Sequence, residues 1–84
     1  MSELTKEEAA WLRKLQKCLD VCPSERLGFA TTGDPSVMVF DRTKEREIYA
    51  IMDAGKGDFM PVAEDLDAEL FLLRFPASVH STAW

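Results

Sequence analysis

Leu27-Gly28-Phe29-Ala30-Thr31-Thr32-Gly33-Asp34-Pro35-Ser36-Val37-Met38-Val39-Phe40 reads as a β-hairpin with apolar residues on both faces. Leu27–Thr32 and Ser36–Phe40 are short runs rich in β-branched and aromatic residues, and Gly33-Asp34-Pro35 between them is a cluster of turn formers. Gly33 takes positive φ without steric cost, while Pro35 fixes its own φ and pushes Asp34 toward extended geometry. A four-residue loop sets Thr31 opposite Ser36. That register places bulky Leu27, Phe29, Met38 and Phe40 on one face and small Gly28, Ala30, Val37 and Val39 on the other. Covering each bulky side chain is worth about 1.5–3 kcal/mol of gross transfer free energy, so both faces call for a cover. Trp11 and Leu15 of the preceding helix are the expected cover for the bulky face.

Upstream, the spacing predicts a helix over 5–21. Thr5 with Glu8 three residues on is a capping box, and Glu7 and Glu8 suit the dipole of the first turn. Trp11, Leu12, Leu15, Cys18, Leu19 and Cys22 form one stripe, Arg13, Gln16, Lys17 and Asp20 lie opposite, and Pro23 ends the helix. Cys18 and Cys22 would make half a metal site or a redox pair. With no third cysteine and with His80 the single histidine, they are read as small apolar members of the stripe.

Downstream, Asp41 or Thr43 caps a helix over 42–54, with Ile48, Ile51 and Met52 as its buried edge, and Gly55 stops it. Gly55-Lys56-Gly57 lacks the spacing and the Lys-Ser/Thr pair of a phosphate loop and is read as a terminator. A third helix spans 59–68, with Pro61 in its first turn, where a missing N–H is harmless. Its Glu64, Asp65 and Asp67, with Glu69, lack the glycine and the distant glutamate of a calcium loop and are read as a solvated face. Glu69–Phe75, apolar, short and closed by Pro76, is read as a third strand with two apolar faces. The tail 76–84 is extended, with Val79 and Trp84 as anchors.

The expected fold is therefore one small α+β domain over 1–84, an antiparallel three-stranded sheet packed with two or three helices in the order α-β-β-α-α-β. Eighty-four residues support a single modest core. No apolar run approaches the ~20 residues of a membrane span, and the acidic start lacks the layout of a secretion signal, so the expected site is the cytoplasm. Net charge is −5, unevenly spread: residues 1–26 balance, 27–57 give −1, and 58–84 give −4 with Arg74 the one base there. That last third repels phosphate backbones and disfavours direct nucleic-acid binding.

The segments Cys22-Pro23-Ser24-Glu25-Arg26-Leu27-Gly28-Phe29 and Phe75-Pro76-Ala77-Ser78-Val79-His80-Ser81-Thr82, at this length, resemble small proteins encoded by temperate phages and prophages of enterobacteria. The resemblance implies a bacterial cytoplasm and an accessory protein acting by binding. It assigns no activity, cofactor or site residue.

The functional expectation is a non-enzymatic protein-interaction module, a homodimer or a partner of another protein, with no cofactor and no catalytic or metal residues. The small sheet face extended by the third strand, Gly28, Ala30, Val37, Val39, Leu70 and Leu72, is the candidate interface. One alternative is an acidic binder or nucleic-acid mimic that targets a basic protein. Another is a small hydrolase with His80 as base for a neighbouring serine, for which no orienting carboxylate is identified.

Overall fold

The computed structural model describes residues 3–31 and 33–80. Its order is α1 (Lys6–Asp20), β1 (Leu27–Ala30), β2 (Ser36–Asp41), a 3-10 turn (Arg42–Lys44), α2 (Glu45–Asp53), α3 (Phe59–Asp65) and β3 (Glu69–Arg74). The sheet runs β1-β2-β3, antiparallel throughout, with β2 central. The α+β fold and its element order are those expected.

Each local signal has its counterpart. Thr5 accepts from the Glu8 amide and Glu8 from the Thr5 amide, closing the capping box of α1. Asp41 Oδ1 accepts from the Thr43 amide and starts the 3-10 turn into α2. α2 ends on Gly55 at φ +72°, whose amide reaches Met52 O while Lys56 N reaches Ile51 O. α3 ends the same way three residues sooner than expected. Asp67 takes φ +56°, its amide donates to Glu64 O and Ala68 N donates to Ala63 O, which turns the chain into β3. Lys44 Nζ adds a bond to Leu66 O at 2.7 Å, tying the start of α2 to the end of α3.

The hairpin register differs by one residue from the expected one. Ala30 faces Met38 and Gly28 faces Phe40, so β1 presents its other side. The turn suits this register: the Thr31 hydroxyl donates to Ser36 O and accepts from the Gly33 amide. The tail reinforces this, since Val79 N donates to Asp34 O and the Thr31 hydroxyl reaches Val79 O. Trp84, the tail's other expected anchor, lies outside the described residues.

The shift pairs large with small across the ladder. A Cβ on Gly28 would lie 2.5 Å from Phe40 Cζ, so the Phe40 ring occupies the space the glycine leaves. Phe40 then meets Phe59 edge-on at 4.9 Å, and Met38, Phe40, Ile48, Val62, Ala63 and Ala68 form the core. Thus α2 and α3 cover the Met38 and Phe40 face. Trp11 and Leu15 do not, contrary to expectation, because with Gly28 and Ala30 beside Met38 and Phe40 two short helices suffice. α1 projects from this body: the radius of gyration is 15.4 Å, where a compact chain of this length has about 12 Å.

Candidate interaction surface

On the sheet face turned away from α2 and α3, Phe29, Val39 and Phe71 stand in one row across the three strands. The two rings are 51% and 62% exposed, while Val39 between them is 6% exposed. Val37 and Leu73 form the next row, also paired. At this end Cys18, Leu19 and Cys22 at and just after the α1 terminus line, with Phe29, Val37, Leu73 and Phe75, an apolar groove of about 470 Å³. α1 has no buried residue, although it carries Trp11, Leu12, Leu15 and Leu19 on one stripe, with Trp11 55% exposed.

The six residues expected at an interface are split between two faces. Val37 and Val39 lie on the open face. Gly28 is buried opposite Phe40, and Ala30 packs against the core. Leu72 pairs with Met38 at the edge of the helix-covered face, and Leu70 falls where the β2–β3 register shifts between Val39 and Phe40. Phe29, Phe71 and the α1 stripe were not placed at an interface from sequence. The signal was present in the aromatic residues of β1 and β3, but their face depends on the register.

The remaining polar constellations are structural in geometry. Asp41 is buried, its Oδ2 3.3 Å from Arg26 Nε and its Oδ1 2.6 Å from the Thr43 hydroxyl. The Thr43 hydroxyl, helped by the Thr43 amide and Arg26, holds the carboxyl below the ordinary aspartate range against the opposing effect of burial. With Arg42 N bonded to Arg26 O, this clasp fixes the chain entering β1 to the end of β2. Cys18 and Cys22 are exposed free thiols, Cys22 Sγ bonding to Ser24 O at 3.4 Å. Among the described residues no group of three or more His, Cys, Asp or Glu side chains converges on a metal-sized site. Glu64, Asp65, Asp67 and Glu69 are exposed, as is His80, while Ser81 lies outside the described residues. No described helix is long and apolar enough to cross a membrane.

Comparison with protein-family models, with curated proteins and with solved structures finds no match.

Proposed function

We propose that this chain acts by binding protein, first of all a second copy of itself, through α1 and the open face of the sheet. The observation that carries this reading is α1: a 15-residue capped helix with an apolar stripe and no buried residue. A helix of that length is marginal in water by itself and draws its stability from packing its apolar face. Exposed apolar patches that size usually mark an interface, and two-fold dimers are the commonest closed assembly. In this reading, which follows the resemblance to phage and prophage proteins, the binding takes place in the bacterial cytoplasm and the protein works as an accessory factor without catalysis.

Sedimentation velocity tests the reading. The expected species at tens of micromolar is a dimer, twice the 9.5 kDa chain, and it persists in high salt because its contact is apolar. A monomer at high micromolar concentration contradicts self-association.

A further inference from the structure

Two apolar surfaces of this chain stay largely exposed: the α1 stripe before its C-terminal end, and the Phe29 and Phe71 rings that flank buried Val39. We infer that each is the other's occupant across a dimer, α1 of one copy lying on the Phe29, Val39 and Phe71 row of the second copy, and the reverse. This rests on the self-association proposed above and adds which surface meets which.

Dimensions agree. α1 is about 22 Å long and the strands of six residues about 20 Å, so the helix spans the face it would cover. The stripe is also broad. Leu12 and Leu19 beside Trp11 and Leu15 make a face suited to a sheet, wider than the seam of a two-helix coil. Helix-to-helix pairing would leave Phe29 and Phe71 wet, and sheet-to-sheet pairing would leave Trp11 wet. Exchange covers both with one contact used twice.

Charge points the same way. α1 carries four basic and three acidic side chains, whereas residues 27–84 carry five basic and ten acidic. The net basic helix therefore meets an acidic body, while two bodies facing each other repel. Full burial of the exposed area of the stripe and the sheet row would remove about 600 Å² per chain, the lower end of what one partner contributes to a stable interface.

Trp11→Glu and Phe71→Glu, both at exposed positions, decide the matter, with circular dichroism confirming that each variant stays folded. Exchange requires that each variant alone weaken the dimer at least about 30-fold. It also requires that mixing the two restore dimer, because the Phe71→Glu chain's intact helix meets the Trp11→Glu chain's intact sheet. Loss in Trp11→Glu alone, loss in Phe71→Glu alone, or loss in both without rescue on mixing overturns the exchange and leaves self-association standing. A wild-type monomer removes the reading on which the exchange rests.

Discussion

α1 and the α2–α3 pair use the same kind of residue to opposite effect. α1 is the longest of the described helices, carries a complete capping box and an apolar stripe, yet it buries no residue. α2 and α3 span nine and seven residues and between them bury Ile48, Val62 and Ala63 completely or nearly so. Helix length and a complete capping box therefore do not rank helices by their share of the core. What decides is whether a cover of the right size is needed: once Phe40 lies over Gly28, the helix face of the sheet is narrow enough for two short helices, and α1 is left over.

The largest effect separates the two regions directly. Ile48→Ala, at a site with 0% exposure, is expected to lower stability by about 2–5 kcal/mol, whereas Leu15→Ala on α1 changes unfolding of the dilute chain by less than about 1 kcal/mol. Urea denaturation at low protein concentration measures both. Equal losses would mean that α1 belongs to the core.

Gly28→Ala probes the pairing of faces. Its Cβ would fall 2.5 Å from Phe40 Cζ and 2.7 Å from Arg42 Cγ, and Phe40 has little room to yield because it is packed on Phe59. A loss of about 1–3 kcal/mol is expected, and it should shrink in a Phe40→Leu background, where the clash is relieved. A loss that simply adds to that of Phe40→Leu would break the account of the register.

The smallest change improves the molecule. α2 and α3 end in the same motif, but α2 places Gly55 in the left-handed position where α3 places Asp67. Asp67→Gly is expected to raise the urea midpoint, by about 0.5–1 kcal/mol of stability, since the side chain no longer opposes φ +56°. No gain would imply that the Asp67 side chain stabilises its own turn.

The element order was legible because its signals are local. Thr5 with Glu8, Gly33-Asp34-Pro35, Gly55 and the short apolar run before Pro76 each act within a few residues. The register was not, because the turn that suits it uses the Thr31 hydroxyl, whose second partner, Val79 O, is 48 residues away in sequence. A one-residue shift was enough to scatter the expected interface over both faces, sending Gly28 and Ala30 to the core side and bringing Phe29 beside Val39. The end of α3 was missed for a related reason: nothing in Leu66-Asp67-Ala68 breaks a helical stripe, and the turn is held by Lys44 from a distant segment. The α1 stripe was read correctly as apolar, but periodicity cannot say which surface lies against it.

Amide hydrogen exchange of α1 and of α2, followed as a function of protein concentration, tests the central contrast most directly. Protection of the Trp11–Leu19 amides is expected to be weak in dilute protein and to rise with concentration as α1 acquires its cover, while the amides around Ile48 stay protected throughout. Strong protection of α1 that does not depend on concentration would contradict the account, because it would mean that the helix is already covered within one chain.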